Sequence, residues 1–281
     1  MVQSPRLSAC AELVRRYDHD RYLTALFAPA DRREALFALY AFNHEIAKTR
    51  ETVSEPLLGR IRLQWWREAV ADIYAGRTRR HEVVEPLARA VDAYDLPRMP
   101  FDRLIDAREL DLADAPPATL EALDAYAEAT GGGVVELALH ALGAADPAAL
   151  TAGREVGIAW ALTGLARAVP FHARARRQYL PEAVMAAARA DSRDLFALRP
   201  TAPLAEAVRS IADAARRHLA AARAVPGVPK EALPALLPAT LAGLYLERLE
   251  RIGYHVVRRP VDIVAPRRHL SLIRAAWRGR F

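Results

Sequence analysis

The 281-residue chain has a single cysteine, Cys10. It therefore forms no internal disulfide and no cysteine-based zinc site, and a lone thiol fits a reducing compartment. Aromatic residues make up only 7% of the chain and do not alternate with basic residues. That pattern lacks the stacking platform of a nucleic-acid binder. No apolar run approaches the roughly 18 uncharged residues that a spanning helix requires. Residues 1–20 lack the apolar core of a secretory signal. Ser4, Arg6, Ser8, Arg15 and Arg16 imitate a transit peptide, but Glu12, Asp18 and Asp20 argue against one. Strand signals are nearly missing, with no sustained alternation of period two and no Asn-Gly or Asp-Gly hairpin turn. There is no repeat of fixed period and no low-complexity linker.

What remains is the composition of a helical globule, 52% hydrophobic and 26% charged. Ala, Leu, Arg and Glu dominate, all strong helix formers. Prolines are spread along the chain (Pro29, Pro56, Pro97, Pro100, Pro116, Pro117, Pro147, Pro200, Pro226, Pro229, Pro260), as between consecutive helices of one bundle. The expectation is an all-α single domain over residues 1–281 with a basic segment at 258–281. The net charge is +6, and that last segment alone carries seven arginines against Asp262, leaving the rest neutral overall. Its basic and aromatic content suits an anionic membrane surface or an acidic partner. The plainer reading is a last helix that packs Leu272, Ile273 and Trp277 on the body.

Three helices are most legible. Asp31, followed by Glu34, resembles a capping box, with a stripe of Leu36, Leu39, Tyr40, Asn43 and Ala47 behind it. Ser54 is expected to cap a helix with Pro56 in its first turn, a stripe of Leu58, Ile61, Trp65 and Ala69, and Gly76 at its end. A third is expected from Pro116/Pro117, carrying Leu120, Leu123, Tyr126, Thr130, Val134 and Leu137. Gly131, Gly132 and Gly133 interrupt it at about 1 kcal/mol each relative to Ala. Close helix contact, a kink or a nearby ligand must offset that cost.

Four ordered matches extend from about Tyr22 onward. Residues 38–42, Ala-Leu-Tyr-Ala-Phe, resemble the first signature helix of the squalene/phytoene synthase family. Tyr126 through Val134 resemble its central Tyr-and-Gly helix. Leu162, Thr163 and Arg167 resemble its second signature, and Arg177 to Pro181 the Arg-x-Tyr-Leu-Pro that follows. The resemblance implies an isoprenoid-synthase bundle around a central cavity. It also implies, in active members, two aspartate-rich motifs that hold Mg²⁺ and join two prenyl diphosphates.

Set on that pattern, the first motif falls on Ala47, Lys48, Thr49, Arg50 and Glu51, and the second on Ala168 and His172. One carboxylate of five is kept, among two cations, so no metal and no cofactor is expected. A narrower match runs through Ala41-Phe42-Asn43, Glu45-Ile46-Ala47, Val53-Ser54-Glu55, Gly59 and Arg62-x-Gln64-Trp65-Trp66-Arg67. It continues at Pro170-Phe171-His172 and Arg176-Arg177. This resembles the family subgroup that contains NADH dehydrogenase (complex I) assembly factor 6. That resemblance implies a non-catalytic role in respiratory complex I assembly, with complex I subunits or assembly intermediates as partners. The implied location is cytoplasmic and peripheral to the inner membrane, or the matrix side in a mitochondrion. The alternative is a prenyl transferase with an altered site, for which Mg²⁺ would be required.

The remaining polar residues leave two readings open. Tyr40 and Phe42 are core aromatics or cavity liners. Asn43, His44 and Glu45 are a satisfied internal network or a substitute acid–base site. Trp65 and Trp66 face different sides of their helix, one buried and the other available to a partner. Arg167, Arg174, Arg176 and Arg177, with Lys48 and Arg50 opposite and Tyr126 and Tyr179 nearby, form an anion pocket for a phosphate or headgroup with an isoprenoid or quinone-like tail. Otherwise they are a charged surface paired with Glu155 and Glu182.

Overall fold

A computed structural model describes residues 7–53, 55–113 and 115–281, and among them no strand occurs. The helices are α1 (Ala9–Tyr17), α2 (His19–Ala25), α3 (Ala30–Ala47), α4 (Thr49–Thr52), α5 (Pro56–Tyr74), α6 (Val84–Tyr94), α7 (Arg98–Glu109) and α8 (Leu120–Ala127). After a π-helical turn at Glu128–Gly132 come α9 (Gly133–Leu142), α10 (Pro147–Arg174), α11 (Glu182–Ala187), α12 (Ser192–Phe196) and α13 (Ala202–Ala224). Helices α14 (Leu233–Leu236), α15 (Pro238–Arg251) and α16 (Ala265–Arg278) complete the chain. No helix of the described residues is long and apolar enough to cross a membrane.

One hydrophobic cluster runs from Cys10 to Leu272. Helix α10 is its axis, packing against α13, α15, α9 and the π-helical turn. Its buried face is built from small residues, among them Ala152, Gly153, Gly157, Ala159 and Ala166. These let neighbouring backbones approach closely. A Cβ at Gly157 would stand 2.5 Å from the Gly131 carbonyl and 2.5 Å from Gly132 Cα. A Cβ at Gly131 would stand 2.1 Å from the Gly157 carbonyl oxygen. Backbone packing against α10 is thus what offsets the cost of glycine at 131.

Helix α3 is buried on almost every side, from Ala35 to Asn43 and at Glu45 and Ile46. Its start corrects the sequence reading: Pro29 holds the cap position, no side chain caps it, and Asp31 lies inside the first turn. Such a placement still suits the positive end of the helix dipole. In α5, Pro56 stands in the first turn as expected, whereas Ser54 lies outside the described residues. The α5 stripe is displaced. Gly59, Leu63, Trp66, Ala69 and Val70 are buried, while Leu58 and Ile61 are exposed. Because Trp66 anchors in the core against Phe42, with ring centroids 5.5 Å apart, it sets the rotation of the helix. Trp65 is half-buried beside His81. The third expected helix starts at Leu120, capped by the Thr119 hydroxyl, and not at Pro116/Pro117. Helix α16 buries Leu272 alone; Ile273 and Trp277 are exposed, against the expectation that they pack on the body.

Candidate functional site

The ends of α3, α7, α8 and α10 meet around one buried carboxylate, Asp111, in the 3₁₀ turn Leu110–Leu112. The Tyr126 hydroxyl donates to Asp111 Oδ1 at 2.8 Å, and the Tyr179 hydroxyl to the same oxygen at 2.7 Å. Arg108 Nη1 donates to Asp111 Oδ2 at 3.2 Å and to the Tyr126 oxygen at 2.6 Å. Its Nη2 reaches Asn43 Oδ1 at 3.5 Å. Arg177 donates to the backbone carbonyl of Asp111 and, at 3.3 Å, to that of Ala113. The Tyr179 ring lies 4.6 Å from the His172 ring. Asn43, Tyr126, His172, Arg177 and Tyr179 are thus brought together, but around two residues that the sequence reading missed, Arg108 and Asp111. The available signal was an arginine and an aspartate three apart, with Asp111 flanked by Leu110 and Leu112.

The electrostatics follow from burial. Burial pushes the Tyr126 phenol well above its usual range, with Asp111 and Tyr179 adding to the rise and Arg108 opposing it. Burial and then Asp111 raise the Tyr179 phenol, with Arg177 and Arg108 opposing. Burial would lower Arg108, yet Tyr126 and Asp111 reverse that and raise it, so the guanidinium is permanently charged. Burial, then the nearby Arg177, lowers His172 to about 4. The imidazole is neutral at pH 7 and a weak base, far from the pKa near 7 that suits proton transfer.

The first-motif positions sit beside this knot rather than in it. Glu45 is buried between two cations: Lys48 bridges one oxygen, and Arg62 Nη2 holds the other at 2.7 Å. His44 stacks on Tyr17 at 4.7 Å, and burial lowers its pKa. Glu51 is exposed, yet partial desolvation raises its pKa while Arg177 opposes the rise. Arg50 approaches the Val53 carbonyl at 3.5 Å. Ala47 brings no ligand atom. Among the described residues no group of three or more His, Cys, Asp and Glu is placed to hold a metal ion.

The second-motif positions Ala168 and His172 do line a chamber of about 220 Å³, together with Arg21, Arg108 and Trp160. Pockets that enclose drug-sized ligands span roughly 300–1,000 Å³. Tyr40 lies behind this chamber in the core with its phenol raised to about 12 by burial, and Arg21 stands over its ring at 5.6 Å. Phe42 is also core.

The expected arginine cluster is divided, because the chain turns after α10. Arg167 and Arg174 line a groove of about 520 Å³ with Arg258, Arg259 and Asp262. Arg176 and Arg177 line a separate pocket of about 280 Å³ with Tyr126, Tyr179 and Pro116/Pro117. Arg167 is packed flat on Tyr245, 3.2 Å from the ring centroid. Glu155 takes Arg154 and His218 instead of these arginines.

The fold and the sequence match known proteins over nearly the whole chain. The family model for squalene/phytoene synthase covers residues 14–274. Complex I assembly factor 6 of Mus musculus is 32% identical over 273 residues, spanning 97% of this chain and 82% of that protein. Phytoene synthase of Rhodobacter capsulatus is 25% identical over 279 residues, spanning 99% and 80%. The crystal structure of a squalene synthase from Alicyclobacillus acidocaldarius superposes with a TM-score of 0.77 at 22% identity, covering 87% of this chain and 93% of that one. By the reach of these matches along α1 to α16, the chain is a member of the squalene/phytoene synthase family.

Proposed function

We propose that this protein acts in the assembly of respiratory complex I, at the surface of the membrane where that complex is built, and does so without prenyl-transfer chemistry. The observation that carries the reading is the end-to-end likeness to a complex I assembly factor, at 32% identity over 97% of the chain. The site supports it. Diphosphate departure from an allylic chain needs clustered carboxylates to hold divalent cations near the leaving group. Here Glu45 is neutralised by Lys48 and Arg62, and Asp111 has both oxygens committed to Tyr126, Tyr179 and Arg108. Glu51 alone is a poor site for hard cations, so the residues present do not fit Mg²⁺. A chamber of about 220 Å³, walled by Arg21, Arg108 and Trp160, is also small for two prenyl chains.

The test is deletion in the source organism. Expected are a fall in assembled complex I on native gels and in NADH-driven quinone reduction, with isoprenoid products unchanged. Return of the wild type or of Glu51→Ala restores both. Mg²⁺-dependent pyrophosphate release from farnesyl or geranylgeranyl diphosphate, above a heat-killed control, would overturn the reading.

A further inference from the structure

Helix α16 has two faces. The inward one buries Leu272 and seats Arg268 beside Asp20, 3.3 Å away. The outward one exposes Leu270 at 66%, Ile273 at 56% and Trp277 at 84%. At about 100° per residue these three fall within an arc of about 60°, turned well away from Leu272. Arg267, Arg274 and Arg278 flank the arc on one side. Residues 263–281 contain no acid. Arg274, Arg278 and Arg280 also line a groove of about 930 Å³ beside the helix, with Arg223 on its far wall. All four of these arginines are exposed and make no ion pair among the described residues, and Glu247, the one acid lining the groove, is held by Arg251 and Arg267. The feature is therefore an apolar strip with a tryptophan, bordered by a cationic trough.

We infer that the outward face of α16 is a docking surface for an anionic lipid bilayer. Leu270, Ile273 and Trp277 enter the boundary between headgroups and acyl chains, and Arg274, Arg278 and Arg280 meet the headgroup phosphates. The pattern is that of an interfacial helix, with modest apolar area, arginines on the polar flank and an aromatic of the kind that favours this depth. Charge argues against a second copy of the chain as occupant, since two such faces would bring arginines against arginines. The inference rests on α16 alone and names where the chain would meet the membrane in the proposed role. Its test reads lipid binding and not complex I, so either can fail without the other.

The test is co-sedimentation of the full chain with phosphatidylcholine vesicles, with and without about 30% phosphatidylglycerol, together with Trp fluorescence. Binding is expected only to the anionic vesicles, weakening in 0.5 M NaCl as surface attraction is screened. Arg274→Gln/Arg278→Gln should lower partitioning by up to about 30-fold, each arginine being worth roughly fivefold near such a surface. Trp277→Glu should abolish binding, while Trp277→Phe should keep binding and lose most of the blue shift. All three positions are exposed, and unchanged circular dichroism and Tm verify the fold. Equal binding to both vesicle types, no binding to either, or a dimer in sedimentation equilibrium that Trp277→Glu dissolves would overturn the inference.

Discussion

His172 offers a direct reading of the chamber's electrostatics. In the unfolded chain its pKa is about 6.5, whereas in the fold burial and Arg177 depress it to about 4. A depressed value means that the native state resists the proton which the unfolded state accepts. Stability is therefore complete above about pH 6.5 and is lost as pH falls towards 4. From pH 7.5 to 5 the unfolded chain gains most of a proton and the native chain gains little. The difference is about 1.5 pH units at about 1.4 kcal/mol each, or about 2 kcal/mol. Because the ring is only half-buried, this is an upper figure. It corresponds to about 3–4 °C of Tm for a chain of this length. The assay is urea and thermal unfolding of the wild type and His172→Gln, compared at each pH so that carboxylate titration cancels. The wild type should lose up to about 2 kcal/mol more than the variant between pH 7.5 and 5. Parallel stability curves would refute the placement of His172 in a desolvated, cation-flanked position.

Further outcomes follow from the same contacts. Asp111→Ala should lower urea stability by about 3–5 kcal/mol, because Arg108 is left largely buried without its carboxylate. Adding Arg108→Met should recover part of that loss, a non-additivity readable in a double-mutant cycle. Gly157→Ala should cost about 1–3 kcal/mol, since its Cβ would meet backbone 2.5 Å away that cannot swing aside. Gly164→Ala has nothing within 4 Å and should stabilise α10 by up to about 1 kcal/mol; thermal melts of the pair should move in opposite directions. Cys10 is buried, and burial first, then Glu34 and Glu82, raises its thiol to about 12. Native protein should therefore react with a thiol reagent far more slowly than urea-unfolded protein.

The helical architecture was legible because helix formers and proline joints agree along the chain, and the glycine run pointed to close packing that Gly157 supplies. The rotation of α5 was not, because Leu58 and Ile61 are as hydrophobic as Leu63 and Trp66 while only tertiary contact selects between the two sets. The start of α3 misled for a related reason: an aspartate in a first turn and one at a cap read alike in sequence. Within the site, Asn43, Tyr126, His172 and Tyr179 were accessible through the family motifs. Arg108 and Asp111 were not, since they matter through burial, and a polar pair near the end of an amphipathic helix ordinarily faces water. The arginines after α10 looked like one patch in sequence. The left-handed backbone at Arg176, with φ of 57°, belongs to the turn that sends Arg176 and Arg177 away from Arg167 and Arg174.

Arg21 reaches the inner chamber from α2, tied to Asp18 at 2.9 Å, and stands over the rings of Tyr40 and Trp160. The two arginines of that hollow are answered from within, Arg21 by Asp18 and Arg108 by Asp111, while about 220 Å³ stays open between them. An anionic guest there would compete with those carboxylates for the same guanidinium groups.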